Sequence, residues 1–103
     1  MSIYVDLDGT LAEYNGWKGP DCIGKPVPAM VDRIRNWLSR GITVKIFTAR
    51  ATVPEQIDPI KNWLSQLGFG ECEVTCIKGF DAVEFWDDRA VTVEANTGRV
   101  LTK

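Results

Sequence analysis

Hydrophobic and polar positions alternate at the start of the chain. Ile3, Val5 and Leu7 are interleaved with Tyr4, Asp6 and Asp8, and Gly9 ends the run. A period of two is the pattern of a strand. The next stretch, LAEYNGWKGPDCIGKPVP, is rich in Gly and Pro and reads as a long loop or small hairpin, a flap over residues 11–27. A segment of this kind in a small domain commonly serves a site. From Pro28 to Arg40 the period lengthens: Met30, Val31, Ile34, Trp37 and Leu38 fall on one helical face, and Gly41 is placed to end the helix. Ile42 to Phe47 is dense in β-branched residues and reads as a second strand. Between Pro54 and Leu67, Ile60, Trp63, Leu64 and Leu67 share a face, with Gly68 beyond them; Asp58-Pro59 is a start signal at which this helix breaks or restarts. Glu73 to Ile77, Val83 to Asp87 and Val91 to Glu94 read as further strands. Ala95 to Gly98 reads as a turn and Arg99 to Leu101 as a last extended piece.

Strand–helix–strand–helix–strand predicts an α/β sandwich around a mostly parallel sheet with right-handed crossovers. In such a sheet the functional crevice lies beyond the carboxyl ends of the strands. A length of 103 residues with no repeat or linker predicts a single domain over 1–103. With 45% hydrophobic residues and four Trp it has enough apolar material for one core. The net charge of −2 shows no basic excess of the kind that marks general nucleic-acid affinity, although a local basic patch stays open. No apolar run approaches the roughly 18 residues of a membrane span, so no membrane association is expected. The opening MSIYVDLDGT has neither a basic start nor a long apolar stretch, and three cysteines are an odd number. Both point to a reducing, cytoplasmic setting. Nothing in the pattern indicates an oligomer.

The chain has no histidine. That removes Ser-His-Asp and Cys-His catalysis and His-ligated zinc, and Cys22, Cys72 and Cys76 are too few for a thiolate site and read as small apolar fillers. The remaining chemistry sits where the strands end: Asp6, Asp8 and Thr10 after the first, Thr48 and Arg50 after the second, Lys78 after the third, Asp87, Asp88 and Arg89 after the fourth. Each has a plain structural alternative, as a turn, a solvated strand end or a local ion pair. Asp6 is the hardest to dismiss, because a carboxylate in an apolar strand is costly without a partner. Four carboxylates brought together need a counter-charge. Oxygen ligands with partial hydration suit Mg²⁺. An anion such as a phosphoryl group then fits between metal, Lys78 and Thr48. With no other nucleophile in place, a carboxylate is the best candidate, through an aspartyl-phosphate.

These residues, in this order, resemble the four motifs of the haloacid dehalogenase (HAD) superfamily: Asp6-Leu-Asp8-Gly-Thr10, Thr48, Lys78, and Asp87-Asp88. They span residues 6 to 88, and FTAR, IKGF and WDDRAVTVEANTG are similar to small phage and bacterial HAD-like proteins. The resemblance implies a Rossmann-like three-layer sandwich and a Mg²⁺-dependent phosphatase. Asp6 would be the nucleophile and Asp8 the general acid and base, with its backbone carbonyl on the metal. Thr48 and Lys78 would hold the phosphoryl group, and Asp6, Asp8, Asp87 and Asp88 would form the metal site. Arg50 and Arg89 adjoin these motifs and are candidates to contact substrate phosphate or ribose, or to pair with a nearby carboxylate. Residues 11–27 leave room for a flap only, so the resemblance implies a member without a cap domain. An open site would suit a large substrate such as a nucleic-acid end or a phosphoprotein, or a lid from another subunit; a nucleotide is a further candidate. Trp17, beside Lys18 and Lys25, is placed either to stack on a base or to pack the flap. Two other readings stand beside the enzyme: a phospho-acceptor signalling domain and a non-catalytic binding module on the same fold.

Overall fold

The computed structural model describes residues 1–102; Lys103, the last residue of the expected domain, lies outside them. In chain order the elements are β1 (Ser2–Val5), α1 (Pro28–Ser39), β2 (Thr43–Phe47), α2 (Ile57–Gln66), β3 (Glu73–Thr75), β4 (Ala82–Trp86), β5 (Thr92–Val93) and β6 (Val100–Thr102). Two 3-10 turns, Ala49–Thr52 and Pro54–Gln56, precede α2. The restart expected at Asp58-Pro59 is this change from 3-10 to α-helix at Ile57. The main sheet is wholly parallel in the order β3-β2-β1-β4. β5 and β6 form a separate antiparallel hairpin.

Both helices end in the same way. The N–H of Gly41 donates to the Leu38 carbonyl and that of Ile42 to Trp37; the N–H of Gly68 donates to Ser65 and that of Phe69 to Leu64. Gly41 and Gly68 have φ of 76° and 83°. This paired closure satisfies the last carbonyls, and the left-handed residue it requires is one glycine supplies without strain. Phe69 and Leu64 then both enter the core, so the helix end and the core are set by the same residues.

The core lies between the sheet and the helices. Ile3, Val5, Val44, Ile46 and Val74 from the strands pack with Met30, Val31 and Ile34 of α1 and Ile60 and Leu64 of α2. Both helices pack on one face, since their buried residues share a single core with the same strand residues. The expected three-layer sandwich is therefore corrected to two layers. The return from β3 to β4 runs through residues 76–81, CIKGFD, too short a crossover to hold a packed helix. On that second face Tyr4, Phe47 and Phe85 form an aromatic cluster, with ring centroids 5.1–5.7 Å apart. The connection covers it: Tyr4 Oη donates to Asp81 Oδ1 at 2.6 Å, and Lys45 Nζ lies 2.8 Å from Asp81 Oδ2. A Cβ on Gly79 would come within 2.6 Å of Tyr4 Oη, so the close crossing needs glycine there. Tyr4 is consequently buried although no helix faces it.

Candidate active site

Asp6 follows directly on β1, its N–H bonded to the Trp86 carbonyl of β4 at 2.9 Å. The chain then folds back on itself. The N–H groups of Thr10, Leu11 and Ala12 all converge on the Leu7 carbonyl, while Leu7 and Leu11 are fully buried. This loop holds Gly9 at φ 91°, where a Cβ would lie 2.5–2.8 Å from the Asp88 carboxylate. Glycine at this position lets the loop after β1 meet the loop after β4. Thr10 completes the junction. Its Oγ1 donates to Asp88 Oδ1 and accepts from the Asp88 N–H, both at 3.0 Å.

One carboxylate oxygen from each of Asp6, Asp87 and Asp88 lies within 4.8 Å of the others. Asp87 is oriented by the Arg89 N–H, which donates to its Oδ1 at 2.8 Å. Burial and the adjacent charges of Asp87 and Asp88, with a hydrogen bond to Asp88, push the Asp6 carboxyl up to about 7. Three oxygen donors this close, one made reluctant to ionise, form a group that could hold a cation.

The metal contact expected of Asp8 was through its backbone carbonyl; its side chain is engaged elsewhere. Both of its side-chain oxygens are held by Arg50, with Nε to Oδ2 at 2.8 Å and Nη2 to Oδ1 at 2.9 Å. Its side chain therefore adds nothing to the acidic cluster. Arg50 is only 6% exposed, and it also donates to the carbonyls of Pro20 and Cys22 and stacks on Trp17 with Cζ 4.8 Å from the ring centre. Of the two places expected for Arg50, it takes the pairing with a nearby carboxylate and braces flap against site while still lining the cavity, since a fork-shaped cation matches a carboxylate with two bonds. Thr48 is buried at the end of β2. Its Oγ1 accepts from the Arg50 N–H at 3.2 Å, which leaves its hydroxyl hydrogen available to the cavity.

Lys78 does not reach the cluster. The Ile77 N–H turns back to Thr75 Oγ1 at 3.0 Å, so β3 stops at Thr75 rather than Ile77. Lys78 then falls on the crossover, with Nζ 5.1 Å from the Phe85 ring centre on the helix-free face. The expected catalytic and phosphate-binding place for Lys78 is not the place the structure gives it.

The cluster opens into a cavity of about 920 Å³. Its lining includes Asp6, Asp8, Thr48, Arg50, Asp87, Asp88 and Arg89. The sequence reading did not place Tyr14, Phe47, Val53, Gln56 and Cys76 there, and they line it too. The junction that Gly9 and Thr10 make with Asp88 was signalled only by their place inside the DxDGT run. Among the described residues no helix is long and apolar enough to cross a membrane. Compared with protein-family models, curated proteins and solved structures, the chain matches none.

Proposed function

We propose that this chain is a Mg²⁺-dependent phosphomonoester hydrolase of HAD type, working through an aspartyl-phosphate on Asp6. The observation that carries the reading is the convergence of the Asp6, Asp87 and Asp88 carboxylates beside Thr48 at the carboxyl edge of a parallel sheet. Asp6, Asp87 and Asp88 would hold the ion, which when bound supplies positive charge for the phosphoryl oxygens and for the carboxylates themselves.

The residues then divide the work. An Asp6 oxygen attacks phosphorus as the bond to the leaving oxygen breaks, and Asp8 delivers a proton to that oxygen. In the second half a water attacks the acyl phosphate, Asp8 takes its proton, inorganic phosphate leaves and Asp6 is regenerated. Thr48 donates its hydroxyl to a phosphoryl oxygen. Arg89, whose guanidinium has no ion-pair partner among the described residues, is the cation at the cavity wall that a phosphate can use. For Asp8 to move a proton, Arg50 must release at least one of the two oxygens it holds.

That clasp favours a second reading, a phospho-acceptor domain in which Asp6 is phosphorylated and only slowly hydrolysed. The test is phosphate release from an aryl phosphate and a panel of phosphomonoesters, with Mg²⁺, with EDTA, and with Asp6→Asn. Release that requires both Mg²⁺ and Asp6 supports the hydrolase. A stoichiometric, long-lived phosphoprotein without turnover supports the acceptor domain. Neither outcome on any substrate leaves a binding module.

A further inference from the structure

The acidic cluster occupies one end of a cavity whose volume, about 920 Å³, is near the upper end of what whole small ligands fill. A phosphoryl group alone is far smaller, so most of this space faces the leaving group. Its wall is aromatic and apolar: Tyr14 and Trp17 from the flap, with Phe47 and Val53. Trp17 is 54% exposed and Tyr14 46%, and neither ring packs against another aromatic ring. Arg50 lies over the Trp17 ring, which is half exposed and also lines the cavity.

Trp17 belongs to a flap that is tied down. The Glu13 N–H donates to the Lys25 carbonyl at 2.8 Å, Trp63 Nε1 to the Gly24 carbonyl at 3.1 Å, and Arg50 to the carbonyls of Pro20 and Cys22. A planar group stacking there meets a ring already in position, with a guanidinium behind it that strengthens the contact. Polar groups also line the cavity: Thr52, Arg89 and Gln56, whose buried Oε1 has no hydrogen-bond partner among the described residues. A ligand that is anionic at one end, polar in the middle and planar at the other matches this lining.

We propose that the substrate is a phosphorylated nucleoside whose base stacks on Trp17 while its phosphate meets Asp6; this rests on the hydrolase reading of the same site. The net charge of −2, and Arg89 as the guanidinium of the lining with no ion-pair partner among the described residues, favour a free nucleotide over a nucleic-acid end, which would need cations along its backbone.

The test measures binding by calorimetry to Asp6→Asn protein in Mg²⁺, using adenosine monophosphate, ribose phosphate, phenyl phosphate and a phosphorylated oligonucleotide. Adenosine monophosphate is expected to bind roughly 5- to 150-fold more tightly than ribose phosphate, the range that one stacked base supplies. Adding Trp17→Ala should bring the two within about twofold, and Trp17→Phe should keep most of the difference. Equal affinities, a preference that Trp17→Ala leaves intact, phenyl phosphate binding as well as the nucleotide, or no binding at all would overturn it. Tighter binding of the oligonucleotide would assign the same base-stacking site to a strand end. Turnover by the native chain separates the two layers of the argument. Equal hydrolysis of ribose phosphate and the nucleotide sinks the stacking site and leaves the hydrolase. Base-selective binding without turnover does the reverse.

Discussion

Asp6 shows how one residue can be costly to the fold and necessary to the site. Its carboxyl is raised from 3.8 to about 7 chiefly by burial, then by Asp87 and Asp88. An acid whose folded value is raised binds its proton more tightly in the folded chain. Its stabilising share is therefore full below about pH 4 and lost as pH rises through about 7. Ion-free protein should lose stability over that window, and Asp6→Asn should abolish the loss. Because the group keeps contact with water, the gain from Asp6→Asn at pH 8 is expected to be about 1 kcal/mol, read by urea unfolding in EDTA, with none at pH 4. Arg50 is the opposite case. Replacing it with Met removes both partners of Asp8 and strands the carbonyls of Pro20 and Cys22. A destabilisation of about 2–3 kcal/mol is expected by the same measurement, and Arg50→Lys should recover only part of it, since an ammonium cannot make the forked contact.

At the scale of the elements, the helices are short, 12 and 10 residues, and rest on their buried stripe and their glycine closures rather than on side-chain caps. Leu64 is fully buried and serves both the stripe and the closure. Leu64→Ala should cost about 3–4 kcal/mol, whereas Gly68→Ala, in open space but at positive φ, should cost about 1 kcal/mol. Equal losses in the two variants would contradict this division. The flap depends on Gly24, where any Cβ would collide with the Glu13 carbonyl. Gly24→Ala should displace the flap while leaving the sheet and helices intact. Far-ultraviolet circular dichroism should be unchanged, and the tryptophan emission from Trp17 and from Trp63, which donates to the Gly24 carbonyl, should shift.

For the whole molecule, the site exists only because three separate loops meet at one sheet edge. β1 brings Asp6, β2 brings Thr48 and β4 brings Asp87 and Asp88, and adjacency in the order β2-β1-β4 puts Asp6 in the middle. A cation bound there selects the folded chain and adds stability by mass action. Mg²⁺ at pH 8 should therefore raise the melting temperature by several degrees at saturating concentration. Asp88→Ala should abolish that rise; a rise that survives this variant would place the ion elsewhere.

Much of this was legible in the residues themselves. The strands, the two helical stripes, the glycines that close them and the carboxylates at the strand ends follow from periodicity and local backbone chemistry, which act over a few residues. The chain order of Asp6, Thr48 and Asp87-Asp88 also made their meeting at one edge an expectation. The two-layer arrangement was not visible in the pattern, because it turns on what residues 76–81 cover across the sheet. Lys78 lies over the Phe85 ring, on a crossover that begins where the Ile77 N–H turns back to Thr75 Oγ1. The capture of Asp8 by Arg50 joins residues 42 apart in sequence. Local patterns specify which elements form and which residues reach their ends; which of those residues touch is decided by packing between distant segments, and that is a property of the folded chain alone.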